Sequence, residues 1–295
     1  MKAAYLILPQ EKLERVKDYL LERLKECDLC PRCCRVNRLK EEKGFCETGR
    51  FAVVSSAFLH FGEERELVGR GGSGTIFFSY CNLKCIYCQN YTISHLGEGR
   101  VVSAEELSSL MLYLQHEGAE NINFVTPTHV IAQIVEALCI AIEKGLRLPL
   151  VYNTGGYDRG DILKLLDGIF DIYMPDIKYS SNKVGKELSE AGNYWEIVKE
   201  AVVQMHQQVG DLKVEDGVAQ RGLLVRHLVL PNRLAGSFCV LDFIKELSPL
   251  TFVNIMDQYR PCYRAREIQE LGRRITSEEY EEVLDYARKT GLIVR

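Results

Sequence analysis

From residue 75 onward this 295-residue chain alternates short apolar runs with amphipathic ones, and few folds accept that rhythm. Residues 75–79, 121–125, 149–153, 169–174, 222–230 and 252–256 read as six strands. Helical stretches lie between them at 103–115, 129–144, 158–166, 194–208 and 237–247, and a last one runs to about Lys289. Two helices open with capping boxes, Ser103 with Glu106 and Thr276 with Glu279. Strands that alternate with helices pair in parallel, and the helices cover the sheet. An open parallel sheet and a curved partial barrel both fit the pattern. In either, ligands lie beyond the carboxyl ends of the strands. Cys81, Thr126, Asn153, Asp176 and Gln258 stand just past successive strand ends, and their recurrence there marks a site.

The strand at 75–79 runs directly into Cys81, Cys85 and Cys88, spaced C-x3-C-x2-C. Three thiolates hold three corners of an iron-sulfur cube and leave one iron open to a non-protein ligand. Zinc is the competing reading, but it takes four protein ligands. No fourth cysteine or histidine follows at a finger-like distance, and His95 has no partner histidine.

Eight of the eleven cysteines precede residue 89, in two tight groups, which points to metal ligation before disulfides. In the first group Cys27, Cys30, Cys34 and Cys46 form a four-thiolate set at C-x2-C-x3-C-x11-C, with Cys33 spare. Four thiolates close a site, so it transfers electrons or staples the chain; an iron-sulfur cluster and structural zinc both fit. Cys139 and Cys239 read as small core residues and Cys262 as undecided.

Before residue 71 lie a charged amphipathic helix at 12–25, the cysteine loop, and a hairpin at 51–68 broken at Gly62-Glu63-Glu64. The glycines at 71, 72 and 74 precede a strand and open no helix, so they read as a close-packed turn and not a phosphate loop. Residues 1–70 are therefore expected to form an N-terminal extension and 71–295 the β/α unit. The net charge of -4 argues against a duplex nucleic acid partner. No apolar run approaches the roughly 20 residues of a membrane span, and the N-terminus turns charged too soon for a signal peptide. A cytoplasmic location is expected.

The cysteine loop with its aromatic Tyr87, placed after the first strand of a β/α unit, resembles the signature of radical S-adenosylmethionine enzymes. That resemblance implies a partial (β/α)6 TIM-like barrel of the α/β class with an N-terminal cysteine-rich extension. It also implies a 4Fe-4S cluster on Cys81, Cys85 and Cys88, S-adenosylmethionine on the fourth iron, and Tyr87 against its adenine. A low-potential donor of the flavodoxin or ferredoxin type would supply the electron. Gly72 to Ser79, Asp176 to Tyr179, Arg226 to Pro231 and Ile255 to Tyr259 further resemble the branch of proteins like pyruvate formate-lyase activating enzyme. In that branch Asp176, Lys178 and Arg226 would line the methionyl end of the cofactor.

Two departures from the pattern stand out. The superfamily's Gly-Gly-Glu-Pro stretch is here Phe124-Val125-Thr126-Pro127-Thr128, so the Thr126 hydroxyl, a backbone carbonyl or another group replaces the acid. Gln258 and Tyr259 occupy the place of a cofactor-binding histidine. His129, at a helix start, reads as polar surface. The resemblance implies either activation of a glycyl-radical protein substrate or radical modification of a small molecule, peptide or RNA base. A non-enzymatic electron-transfer or assembly protein is the third class, and it explains neither the open cluster corner nor the polar strand ends.

Overall fold

The six apolar runs become strands whose two faces are both buried, as a parallel sheet under helices requires. The computed structural model describes residues 2–294. Its strands are β1 (Ala52–His60), β2 (Ser73–Phe78), β3 (Arg100–Val102), β4 (Asn121–Val125), β5 (Leu150–Thr154), β6 (Ile172–Pro175), β7 (Lys213–Glu215), β8 (Val218–Leu228), β9 (Phe252–Met256) and β10 (Ile293–Val294). The sheet order is β10-β9-β8-β6-β5-β4-β2-β1-β3, with β7 attached to β8. Along the path from β2 to β10 every neighbouring pair is parallel, while β1 joins β2, β3 joins β1, and β7 joins β8, antiparallel. The fold is α/β, a partial TIM-like barrel.

Side-chain alternation divides each strand between two compartments. Ile122 and Phe124, Leu150 and Tyr152, Leu223 and Val225, and Val253 and Ile255 face outward into the main core beneath the helices. Val151, Ile172, Met174, Leu224 and Phe252 face inward and form a separate apolar plug with Leu67. A shift of one residue in any strand would exchange these faces, which is why the register is firmly specified. Above the plug, further along the same inward faces, the side chains turn polar: Asn153 on β5, Asp176 just past β6, Arg226 on β8 and Asn254 on β9.

Leu67 reaches the interior from the short helix Arg65–Val68, which is where the structure departs from the expected hairpin at 51–68. Only β1 is a strand in that stretch, and its partner is β2, with Phe58 opposite Thr75 and His60 opposite Ser73. The chain after His60 turns inward because Glu64 and the Leu67 carbonyl find partners inside: Asn254 Nδ2 donates to Glu64 Oε1 at 3.0 Å, and Asn121 Nδ2 to Leu67 O at 2.8 Å. This segment thereby spans between β4 and β9. The turn before β2 is close-packed: a Cβ on Gly71 would lie 1.9 Å from the Gly118 carbonyl oxygen and one on Gly74 2.6 Å from that of Asn121.

Both capping boxes form, at Ser103 and Thr276. The N-terminal helix Gln10–Glu22 packs on Ile131–Glu143. The polar stretch at 180–193 contains a helix not expected from the sequence, Asn182–Ser189, capped by Ser181 and burying Leu188. Cys239 is exposed on the helix Ser237–Leu247, contrary to its reading as a core residue, because it lies on the face turned from Val240, Leu241 and Ile244. Among the described residues no helix is long and apolar enough to cross a membrane.

Candidate functional site

The loop after β2 bends sharply, with Tyr80 at φ 66° immediately before Cys81. Each of its three thiols meets at least one hydrogen-bonding group. Leu83 N donates to Cys81 Sγ at 3.3 Å, Ser189 Oγ lies 2.9 Å from Cys85 Sγ, and Ser94 Oγ lies 3.1 Å from Cys88 Sγ. The helix Asn182–Ser189 holds the loop's backbone, since Ile86 N donates to Leu188 O at 2.9 Å and Lys84 N to Ser189 O at 3.3 Å. Burial pushes the Cys81 thiol up to about 12, and Cys85 beside it adds to that. Metal binding at such a site is coupled to release of the thiol proton.

Cys81, Cys85 and Cys88 line one cavity, of about 150 Å³, together with Thr126, Asn153, Asp176, Lys178 and Arg226. A larger one of about 450 Å³ adjoins it, shares Cys85, Cys88, Asn153, Asp176, Lys178 and Arg226, and adds Tyr87 and Gln258. All seven expected cofactor-contact residues therefore border one or both cavities, and Cys85 and Cys88 line both.

Parallel pairing creates the polar floor. The ladder runs past the end of β6 so that Asp176 pairs with Arg226. Arg226 Nε donates to Asp176 Oδ1 at 2.8 Å and Nη2 to Asn153 Oδ1 at 2.9 Å, while Lys178 Nζ donates to Asp176 Oδ2 at 2.7 Å. Burial opposes the charge on Asp176, but Arg226 and Lys178 outweigh it and bring its pKa down to about 2. Burial also opposes the charge on Lys178, which Asp176 nevertheless holds well above the ordinary lysine value. The three charges therefore favour one another's ionised forms.

Thr126 sits at φ 63°, in the left-handed region that β-branched residues avoid, and its N–H donates to Asn153 O at 2.8 Å. Strain of this kind persists where surrounding contacts impose it, and it clusters at ligand sites. Tyr87 is buried. Its ring meets Tyr259 edge to face at 5.8 Å, and its hydroxyl accepts from Tyr179 at 2.6 Å. Tyr179 also touches Ser189 Oγ at 2.8 Å, so a hydroxyl chain runs from Tyr87 to the Cys85 sulfur. Gln258 is exposed at the rim, and its carbonyl accepts from Gln89 Nε2 at 3.1 Å.

Glu63 and Glu64 were not recognised from the sequence as site residues. They line the larger cavity, and their side chains are only 7% and 6% exposed, each 3.7 Å from Arg226 Nη1. Burial raises Glu63 to about 7, Arg226 opposing and Glu64 reinforcing the rise. Two adjacent acids at the end of a strand were the available signal, but the break in an assumed hairpin accounted for them equally well. His129 is likewise not surface. It is buried, its Nε2–H donates to Ser79 O at 3.0 Å, and burial lowers its pKa to about 3.

The first cysteine group lines its own small cavity, in which Cys27, Cys30, Cys34 and Cys46 share the lining with Arg38 and His129. Cys33 lines it too, but Arg159 Nη1 donates to its sulfur at 3.2 Å. Among the described residues no three His, Cys, Asp or Glu side chains are gathered as a single metal ion requires.

A family model described as the Radical SAM superfamily matches residues 75–214. The uncharacterized protein MJ0674 of Methanocaldococcus jannaschii is 35% identical over 300 residues, covering 95% of this chain and 82% of that protein. Among solved structures, a radical SAM methyltransferase from Sphaerobacter thermophilus superposes with TM-score 0.51 at 15% identity, over 76% of this chain and 65% of that one. The chain thus spans just under two thirds of that methyltransferase. Methylornithine synthase (PylB) gives 0.50 at 13% identity, over 99% and 72% of the two chains, and the hydrogenase maturase HydG gives 0.51 at 10%, over 98% and 63%. At these identities the structural likeness concerns the fold.

Proposed function

From the premise that this chain belongs to the radical SAM superfamily, whose members use a 4Fe-4S cluster and S-adenosylmethionine, we propose that Cys81, Cys85 and Cys88 hold the cluster and that Asn153, Asp176, Lys178 and Arg226 hold the methionyl end of the cofactor. The observation that carries this reading is the single cavity in which three hydrogen-bonded thiols face the ion-paired trio. The residues fit the group. Three sulfurs each have a polar neighbour, and a carboxylate and two cations stand where an amino acid's ammonium and carboxylate would be met.

Held by Cys81, Cys85 and Cys88, a reduced cluster would supply the electron for reductive cleavage of the cofactor's sulfonium bond. The chain's own contribution is placement and exclusion. Arg226 and Lys178 offer hydrogen-bond donors to a carboxylate, and Asp176 offers an acceptor to an ammonium. Thr126, held in its strained conformation, and Asn153 border the same end. Tyr87 walls the side toward the larger cavity, its hydroxyl tied back to Tyr179 so that the ring and not the polar tip meets a ligand. The adjoining cavity of about 450 Å³ would receive the substrate.

Within this chemistry we favour activation of a glycyl-radical partner protein, because the Asp176-Ile177-Lys178 and Arg226 pattern resembles that of activating enzymes. Glu63 and Glu64 in the cavity wall favour a substrate that brings a hydrogen-bond donor or a cation. Radical modification of a small molecule, peptide or RNA base is the second reading. The cavity of about 450 Å³, lined in part by His60 and Gln258, is of a size that supports it. Anaerobically reconstituted protein with a low-potential reductant and S-adenosylmethionine should form 5'-deoxyadenosine. Absence of that product with a loaded cluster would overturn the assignment. Candidate partner proteins are then scored by appearance of a glycyl-radical electron paramagnetic resonance doublet, and no doublet with any of them would favour the second reading.

A further inference from the structure

Arg38 is 1% exposed, and among the described residues no carboxylate pairs with it. Its Nε and Nη1 donate to the carbonyls of Gly49 and His129 at 3.0 and 2.7 Å, Nη1 lies 3.8 Å from Cys27 Sγ, and Nη2 is buried without a partner. A buried guanidinium left uncompensated is costly, so it calls for an anion at that place. His129 repeats the point. Its Nε2–H is committed to Ser79 O, leaving Nδ1 buried and unpartnered on the same side of the fold. Both residues line the cavity of the first cysteine group. Four thiolates around a metal centre are the anionic group that the chain itself supplies there.

The loop is built to bring those thiols together. Cys27 N donates to Val36 O at 2.9 Å and Arg35 N to Cys27 O at 2.8 Å, closing a knuckle in which Cys33 and Arg35 take φ of 44° and 60°. Phe45 N donates to Cys34 Sγ at 3.3 Å. Gly44 permits that approach, since a Cβ there would lie 2.8 Å from the same sulfur. Cys33, engaged by Arg159, is the spare.

This knuckle docks on the radical loop. Arg32 donates through Nε to Asn82 O at 2.8 Å and through Nη2 to Ser189 O at 3.2 Å, and the Ser189 hydroxyl is the one that touches Cys85. His129 makes a second bridge to Ser79, two residues before Cys81. A purely mechanical staple has no need of contacts to the atoms beside another set of metal ligands.

We propose that Cys27, Cys30, Cys34 and Cys46 hold a second, coordinatively closed 4Fe-4S cluster that passes electrons to the cluster on Cys81, Cys85 and Cys88. One electron enters from a low-potential donor of the flavodoxin or ferredoxin class and one leaves to the radical cluster; no atom or proton is transferred. The relay rests on the reading of the radical site given above, whereas the metal assignment does not.

The full-length Cys81→Ala/Cys85→Ala/Cys88→Ala variant, reconstituted with iron and sulfide, should retain about four irons per chain. It should also give a reduced-cluster resonance that S-adenosylmethionine leaves unchanged. One zinc with no iron, or a resonance that shifts with the cofactor, would overturn the assignment. Should that variant fail to fold, wild-type protein serves, with about eight irons and two resonances of which only one responds to the cofactor. For the relay, Arg32→Gln keeps every thiol. Deoxyadenosine formation driven by a flavodoxin should fall several-fold while that driven by titanium(III) citrate stays unchanged. Equal rates relative to wild type with both donors would refute the relay. A wild-type protein that binds two clusters and makes no deoxyadenosine would instead refute the radical reading alone.

Discussion

Asp176 and Arg226 face each other across the parallel β6–β8 ladder, 2.8 Å apart between Oδ1 and Nε, and this pair anchors the polar floor of the site. Both side chains are 18% exposed, so neither charge is well solvated alone. Asp176→Asn leaves Lys178 without its anion and Arg226 with only the longer contacts to Glu63 and Glu64, at 3.7 Å, and should destabilise the chain by about 3 kcal/mol. A thermal or urea double-mutant cycle with Arg226→Gln should show a coupling above about 1 kcal/mol. Additive effects would mean the pair acts independently. Binding of S-adenosylmethionine by Asp176→Asn should weaken with cluster content unchanged.

Thr126 gives a trade-off between stability and function. Relieving its left-handed conformation should gain about 1–2 kcal/mol, less the roughly 0.5–1 kcal/mol of added chain entropy that glycine brings. Thr126→Gly is therefore expected to be slightly more stable than wild type in urea titration and to bind the cofactor less tightly. A loss of stability would show that the Thr126 side chain has packing value that outweighs its backbone strain.

Gly74 is a test of close packing before the radical loop. An alanine Cβ there would sit 2.6 Å from the Asn121 carbonyl oxygen, a backbone atom that cannot yield without breaking the β2–β4 register. Gly74→Ala should cost more than about 1–3 kcal/mol, the range of ordinary overpacking, and lower the iron content. Gly192→Ala, whose Cβ would meet nothing nearer than 3.8 Å, should be nearly neutral and serves as the control.

His227 makes acid stability measurable. Its Nδ1–H donates to Ile177 O at 2.6 Å, its Nε2 lies 2.9 Å from Ser237 Oγ, and burial lowers its pKa to about 4. Between that value and the unfolded histidine's, near 6.5, the unfolded chain binds the extra proton, so stability rises with pH in this window and falls as acid is added. The slope from this residue is at most about 1.4 kcal/mol per pH unit. His227→Gln should flatten stability against pH between about 4 and 6.5 by that amount relative to wild type. Identical slopes would mean that His227 titrates normally.

The helix boundaries, the capping boxes at Ser103 and Thr276, and the polar strand ends were legible because they depend on local periodicity and neighbouring residues. Glu63, Glu64, Ser189 and His129 were not. Each acquires its role from a partner far along the chain: Arg226 for the acids, Cys85 for Ser189, Ser79 for His129. The expected hairpin failed for the same reason, since β1 found its antiparallel partner in β2 and left residues 65–68 to a helix that plugs the barrel.

The spacing of Cys81, Cys85 and Cys88 after a strand, and the β/α rhythm around it, needed no coordinates, because thiolate spacing and side-chain alternation are properties of the chain itself. The company those thiols keep is a property of the fold. Parallel register aligned Asn153, Asp176 and Arg226 on one inward face, and the helix Asn182–Ser189 brought a hydroxyl to Cys85. Arg32 set the cysteine group at 27–46 against the loop of Cys81, Cys85 and Cys88 through the carbonyls of Asn82 and Ser189. Those relationships join residues from about 50 to 160 positions apart, and only burial against a common core makes such pairings outweigh the entropy of closing the chain between them.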